Sequence, residues 1–262
     1  MRTELISKQT IAEVKQALQT LHDSNSPLLL ELSQDPRKGV QNALQQWQRR
    51  EERYQQALAA FHQRFKFEKQ YWQQGCQYVA GMDEVGRGPL AGPVVTCAVI
   101  LSPEFDLIGV TDSKQLTRHE REHLYLQIVN EAVEVSIAVN NSQKIDQLNI
   151  YATTQDAMMT SVRQLHHQPE HLIVDAVPLP ALDIPQTTLI KGDQKSISVA
   201  AASIVAKEYR DHLMCDYDQV YPGYDFAENM GYGTKKHLAG LRELGATPIH
   251  RRSFNPVPEY LK

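Results

Sequence analysis

From about residue 70 onward, short runs of β-branched and apolar residues alternate with segments of helical periodicity. Few folds satisfy that alternation. Tyr78-Val-Ala-Gly-Met82 leads into Asp83, and Gly92–Leu101 is rich in β-branched residues; both are expected as strands joined by a glycine-rich turn. Arg118–Val129 has helical spacing, Ala132–Val139 the pattern of a strand, and Tyr151–Leu165 that of a helix. Leu172-Ile-Val-Asp175 and Thr187-Thr-Leu-Ile190 are short enough for buried strands, and Ser196–Asp216 is a helix dense in alanine. Strands come first as a meander and then alternate with helices. The expectation is an α/β domain over residues 71–262, with a mixed central sheet flanked by helices.

Residues 1–70 have a different character and are expected as a helical N-terminal extension. Thr10-Ile-Ala-Glu13 fits a capping box, and Ile11, Val14, Leu18 and Leu21 follow at helical spacing. Turn-like strings fall at Ser24–Pro27 and Asp35–Gly39. Val40, Leu44, Trp47, Tyr54, Leu58, Phe61 and Phe65 then mark one face of a long helix. The extension carries 11 basic and 8 acidic residues, against 16 and 23 in the remainder, within an overall net charge of -4. A local basic cluster, Lys235, Lys236, Arg242, Arg251 and Arg252, could contact phosphates, although charge alone fits an ordinary solvated surface better.

Several classes are disfavoured. No run approaches the ~18 apolar residues of a membrane span, and Met1-Arg2-Thr3-Glu4 lacks the apolar stretch of a secretory signal. Cys76, Cys97 and Cys215 are far apart and odd in number, so neither a disulfide framework nor a zinc site is expected. The reading is a reduced, cytoplasmic protein without membrane contact.

The chemistry concentrates in Gly81-Met-Asp83-Glu84-Val-Gly86-Arg87-Gly88-Pro89, where two adjacent acids end an apolar run. An arbitrary Asp-Glu pair is usually solvated. Successive strand side chains face opposite ways, so for both acids to face one site the chain must bend at once, which Gly86 and Gly88 permit. Glycines also let backbone amides approach a phosphate or sugar closely. No Gly-Lys-Ser/Thr follows, so this is not a Walker loop. Asp175 ends another apolar run, and Asp193 lies in Lys191-Gly-Asp-Gln-Lys195 before a helix. Alone, Asp193 reads better as an acid favoured by that helix's dipole. Together, acids converging from several strand ends suit hard divalent cations such as Mg²⁺ or Mn²⁺ and phosphoryl chemistry.

Residues from about Tyr78 to Phe254 resemble bacterial type-2 ribonuclease H, the ribonuclease HII family. The matching strings are GMDEVGRGPLAGPVV (81–95), TDSKQL (111–116), IDQLNI (145–150), LIVDA (172–176), KGD (191–193), AASIVAK (201–207), RD (210–211), GYGT (231–234) and HRRSF (250–254). The resemblance implies a ribonuclease H-like α/β fold with a small helical C-terminal part. It implies that Asp83, Glu84, Asp175 and Asp193 bind catalytic Mg²⁺ or Mn²⁺. It implies that Gly86-Arg87-Gly88 reads a ribose 2′-hydroxyl, and that Tyr232 stacks on the neighbouring sugar. The implied substrates are RNA–DNA hybrids and duplex DNA containing ribonucleotides. The implied products carry 5′-phosphate and 3′-hydroxyl ends, and a monomer is expected. The extension is similar to those of some Gram-positive members and unlike the extra sheet domain of type-3 enzymes. The chain departs from the family at Asn229-Met230, where His-Lys is usual, which would remove a cation beside Tyr232. Two rivals remain at this point: another metal-dependent phosphoryl hydrolase on the same fold, such as a DNA-only nuclease, and a catalytically silent hybrid-binding module.

Overall fold

The computed structural model describes residues 9–261. The reading of Met1–Glu4 therefore lies outside the described residues. The chain divides into two compact units, residues 1–60 and 61–262.

The first unit is helical: α1 is Ile11–Gln19, α2 Pro27–Ser33, and most of α3, Lys38–Arg64. The expected capping box forms. Thr10 Oγ1 accepts from the Glu13 amide at 3.2 Å, and the Glu13 carboxylate accepts from the Thr10 amide at 2.7 Å. Val14, Leu18, Leu32, Val40, Ala43, Leu44 and Trp47 form a core of their own. Trp47 Nε1 and Arg50 donate to carbonyls near the end of α1, Leu21 at 2.9 Å and Leu18 at 2.7 Å. The expected apolar stripe is interrupted: Tyr54 is exposed and Leu58 half-buried.

The second unit takes in the last turn of α3 and then α4, Lys66–Gln73, and holds a five-stranded sheet. The strands are β1 (Val79–Val85), β2 (Val94–Ile100), β3 (Glu134–Asn140), β4 (His171–Asp175) and β5 (Gln186–Leu189), in the order β3-β2-β1-β4-β5. β1 pairs antiparallel with β2, and β2 with β3, whereas β1–β4 and β4–β5 are parallel. The sheet is mixed as expected: the glycine-rich segment 86–93 returns the chain from β1 to β2, a longer connection returns it from β2 to β3, and the helical connection after β3 lets β4 run parallel to β1. The helices are α5 (Arg118–Glu131), α6 (Ser142–Leu148), α7 (Ile150–Arg163), α8 (Ile197–Val220), α9 (Phe226–Asn229) and α10 (Lys235–Leu244). The short α6, capped by Asn141, was not anticipated.

Strand alternation divides the core between two faces. Ala80, Met82, Ala98, Ile100, Leu172 and Val174 pack against Met158, Val162 and Leu165 at α7 and its end. Val95, Cys97 and Val99 pack against α5 and the buried α8. A further cluster of Leu90, Ala91, Met214, Tyr224, Phe226, Leu241 and Val257 holds the helical C-terminal part together. Among the described residues no helix is long and apolar enough to cross a membrane, and Cys76, Cys97 and Cys215 are free.

The alanines of α8 keep its sheet-facing surface thin, and Gly81 completes the fit. A Cβ at Gly81 would lie 2.2 Å from the Ser198 carbonyl carbon and 2.4 Å from the Val199 amide nitrogen. Those are backbone atoms, which no rotamer change can move. Gly81→Ala should therefore destabilise the protein by about 3 kcal/mol, or about 10 °C in Tm, measured by calorimetry beside wild type. A change under about 2 °C would show that α8 can shift away from β1 without cost.

Candidate active site

The parallel pairing of β1 with β4 builds the site. Met82 is in register with Val174, so the next residues, Asp83 and Asp175, stand side by side at adjacent strand ends. On their strands Asp83 follows the parity of Gly81 and Asp175 that of Ile173, both of which face α8. Asp175 Oδ1 accepts from the Gly192 amide at 2.7 Å, which brings the Asp193 turn to the same place. Lys191 enters that turn in the left-handed region at φ 57°. Asp193 is 4% exposed, and Lys114 Nζ lies 3.8 Å from its Oδ2.

Glu84 departs from the expected geometry. The chain does not bend between the two acids; β1 continues through Val85, which pairs with Val95, and the turn comes at Gly86, φ 92°. Ladder pairing with β2 holds the strand extended, so Glu84 points across the pleat from Asp83. It still lies within electrostatic reach of Asp175 and Lys114, and Arg87 Nη1 is 3.3 Å from its Oε1.

Electrostatics set the character of the site. Burial, then the charges of Glu84 and Asp175, push the Asp83 carboxyl well above the usual carboxylate range, against a hydrogen bond from Ser203. Burial raises Glu84 to about 7, with Arg87 pulling it down and Asp175 pushing it up. Burial and the neighbouring Asp112 raise Asp193. The Lys114 ammonium, despite its own desolvation, is raised by Asp193, Asp112, Asp83 and Asp175.

The donor set fits a hard divalent cation. It consists of carboxylate oxygens, and Glu84 Oε2 is buried without a hydrogen-bond partner. Buried acids that raise one another's pKa are groups a cation would stabilise as anions. Among the described residues no three His, Cys, Asp or Glu side chains already form a closed cage.

The glycine loop lies between this cluster and the C-terminal part. A Cβ on Gly88 would be 3.5 Å from Tyr232 Cε1, so loop and tyrosine face each other, and Tyr232 is 51% exposed. Arg251, expected in a surface basic cluster, is instead fully buried. Its guanidinium donates to the carbonyls of Gly86, Arg87 (2.9 Å), Gly92 (2.9 Å) and Pro93 (3.3 Å). Arg210 donates to Pro93 at 2.9 Å, Met230 at 2.9 Å and Ala91 at 3.2 Å. Burial lowers their pKa values to about 9 for Arg251 and about 10 for Arg210. Asn229 is buried rather than surface-facing. Its side chain bridges the Tyr224 carbonyl at 2.7 Å and the Gly231 amide at 2.8 Å, so the departure from His-Lys falls at a backbone brace.

Sequence reasoning had not singled out Asp112, Lys114, Ser203, Arg210 or Arg251 as individual parts of this region. Their signal was membership of the matching strings, and for Arg251 also a place in the basic cluster.

The family model for ribonuclease HII matches residues 80–257, and that for the ribonuclease HII N-terminal domain matches residues 10–72. A ribonuclease HII of Limosilactobacillus reuteri (strain DSM 20016) is 73% identical over 256 residues, covering 98% of this chain and 100% of the relative. The chain belongs to the ribonuclease HII family. It is therefore an RNA-degrading hydrolase of the class that acts as an endoribonuclease on RNA–DNA hybrids. A ribonuclease HII of Limosilactobacillus fermentum (strain NBRC 3956 / LMG 18251) is 68% identical over 256 residues, covering 98% of this chain and 100% of the relative. The crystal structure of the ribonuclease H2 from Pyrococcus horikoshii OT3 is similar at a TM-score of 0.61 and 26% identity, covering 70% of this chain and 97% of that one. The ribonuclease H-like α/β fold is thus established.

Because Glu84 keeps its proton to about 7 in the folded state against an ordinary 4.5, the metal-free protein binds more protons folded than unfolded over that window. The Glu84 contribution to stability should fall by about 3 kcal/mol as pH rises from about 4.5 to 7, with Asp83 acting in the same direction and the buried His237 and His250, whose pKa values burial lowers, in the opposite one. Thermal melts in chelator across this range, on wild type and Glu84→Gln, check it; the wild type should lose more stability than the variant as pH rises, and parallel curves would contradict it.

Proposed function

We propose that this ribonuclease HII cleaves the RNA strand of RNA–DNA hybrids and also nicks duplex DNA on the 5′ side of a single embedded ribonucleotide. The observation that carries the first half is the β1–β4 register, which sets Asp83 beside Asp175, with the Asp175–Gly192 hydrogen bond bringing in Asp193. The second half is supported by the approach of Gly88 to Tyr232 a few residues from the acids.

Asp83, Glu84, Asp175 and Asp193 would hold one or two Mg²⁺ or Mn²⁺ ions, which supply activation of the attacking water and stabilisation of charge on the phosphate and leaving oxygen. The protein's own share is positional. Adjacent strand ends fix two of the acids, and the Lys191–Gln194 turn presents the fourth. In-line attack on the phosphorus expels the 3′-oxygen, leaving 3′-hydroxyl and 5′-phosphate ends. Backbone groups of Gly86-Arg87-Gly88 would meet one 2′-hydroxyl, because glycine leaves the backbone open to close approach. The Tyr232 ring would pack on the next sugar, where a 2′-hydroxyl would crowd it, so the pair selects a ribonucleotide followed by DNA. A hybrid-only enzyme would need only to sense an A-like duplex.

In the same reading, residues 1–70 are an accessory helical extension to a catalytic domain of residues 71–262. The three free cysteines fit a monomer working in a reducing cytoplasm.

Asp83→Asn should reduce cleavage of a labelled hybrid by about 1,000-fold or more, a loss of about 4 kcal/mol in transition-state stabilisation. Binding of the hybrid should hold or tighten, since a negative charge near phosphate is removed. Activity within a few-fold of wild type at saturating Mg²⁺ or Mn²⁺ would take Asp83 out of the ligand set. For substrate choice, a labelled duplex with one ribonucleotide is run beside an all-DNA duplex and a uniform hybrid. Nicking 5′ of the ribonucleotide, with the all-DNA control intact, is expected. Cutting of the hybrid alone would overturn the junction reading.

A further inference from the structure

Tyr232 occupies a short connection between α9 and α10 whose backbone is pinned at both ends. Its amide donates to the Asn229 carbonyl at 2.9 Å. Its carbonyl accepts from the Thr234 amide at 2.8 Å and faces His237 Nδ1 at 2.9 Å. His237 is fully buried, and its Nε2 stands 3.0 Å from His250 Nε2. His250 is 2% exposed, and its Nδ1 faces the Thr247 amide at 2.9 Å and the Thr247 hydroxyl at 2.8 Å. The rings of Tyr224 and Phe226 pack around both imidazoles.

The two ends of this chain of contacts dictate every proton in it. A backbone amide can only donate, so His250 Nδ1 accepts and the neutral ring carries its hydrogen on Nε2. A backbone carbonyl can only accept, so His237 carries its hydrogen on Nδ1 and leaves Nε2 as an acceptor. The facing Nε2 atoms are then one donor and one acceptor. A proton added to either ring would set two donors against each other, so the arrangement holds only while both rings are neutral. Burial, and for His250 the neighbouring His237, lower both pKa values, His250 to about 4.

The relay also reaches the opposite wall of the cleft. Arg251, next to His250, holds the carbonyls on either side of the loop apex at Gly86 and Arg87. The Arg251 amide donates to Leu90 at 2.9 Å, and the Leu90 amide to Gly231 at 2.8 Å. The His250-Arg251 dipeptide thus braces both the glycine loop and the tyrosine.

We propose that His237 and His250 are positioning residues for substrate choice: a neutral, single-tautomer pair that fixes the Tyr232 backbone so that its ring stands at a set distance from Gly88. This rests on the reading of Tyr232 as the surface that packs on the deoxyribose beyond the ribonucleotide.

The test uses two amide replacements that differ in which ring nitrogen they mimic. His237→Asn places its amide near Nδ1 and keeps a donor for the Tyr232 carbonyl. His237→Gln places its amide near Nε2 and does not. The readout is the ratio of kcat/KM on a single-ribonucleotide duplex to that on a uniform hybrid. His237→Gln should lower the ratio about tenfold, the equivalent of one lost hydrogen bond, and His237→Asn should leave it within about threefold of wild type. A structural role alone would treat the two alike, so equal ratios would overturn the proposal. Tyr232→Ala is run in parallel. If it leaves the ratio unchanged, the reading of Tyr232 itself fails; if it lowers the ratio while His237→Gln does not, only the positioning role fails. Independently of how the variants fold, long-range ¹H–¹⁵N spectra of the wild-type protein near neutral pH report the tautomers. Nδ1–H on His237 with Nε2–H on His250 is expected, and the reverse assignment, or a protonated ring, would overturn the pair.

Discussion

Two buried guanidiniums hold the segment from Gly86 to Pro93 in place. Arg210 and Arg251 are 1% and 0% exposed, and neither forms an ion pair among the described residues. Burying an unpaired cation is costly, and backbone carbonyls at several positions offset that cost by accepting hydrogen bonds from the buried donors. The planar fork of arginine makes this possible, since one side chain addresses carbonyls on both sides of a turn, whereas a lysine would act as a point charge. With its carbonyls drawn inward, the loop keeps a fixed shape beside the acids. Because Arg210 sits on α8 and Arg251 in the C-terminal part, the loop is tied to both.

The acidic cluster is held against its own repulsion. Asp83, Glu84 and Asp193 are largely buried, and each is raised in pKa by burial and by neighbouring acids. Stability favours fewer buried charges, and the fold retains them through strand pairing, the Asp175–Gly192 hydrogen bond and the nearby Lys114 ammonium. Such an arrangement is weak as a stability device and useful as a cation site. The side of the sheet away from α8, by contrast, is closed by an ordinary apolar layer, with Met82 and Val174 against Met158 and Val162. The pleat thus assigns Asp83 and Asp175 to the site and Met82 and Val174 to the core within two consecutive pairs, 82–83 and 174–175.

Much of the fold was legible because its signals are local. β-branched runs marked the strands, helical spacing marked α5, α7 and α8, and Thr10 with Glu13 marked the first cap. The acids Asp83, Asp175 and Asp193 were legible because each ends an apolar run or a tight turn. The short α6 was not, since its seven residues carry no apolar stripe and its cap is a single Asn141. Arg251 was misplaced because a charged residue in sequence suggests solvent, and only the folded chain brings enough carbonyls together to bury it.

The sequence by itself therefore determined the order of most elements, the mixed sheet and the family, and it singled out Asp83, Glu84, Asp175 and Asp193 as candidate ligands, because each of these signals is read from residues close together in the chain. Tertiary structure alone decided what depends on distant segments meeting. Strand pairing carried β1 straight through Asp83 and Glu84 and moved the bend to Gly86. The packing of Tyr224 and Phe226 around His237 and His250 made two unremarked histidines the support of Tyr232. Asn229 became a backbone brace rather than a gap in a surface charge pattern. Hydrogen-bond direction and burial are properties of the assembled chain, and no local pattern of residues contains them.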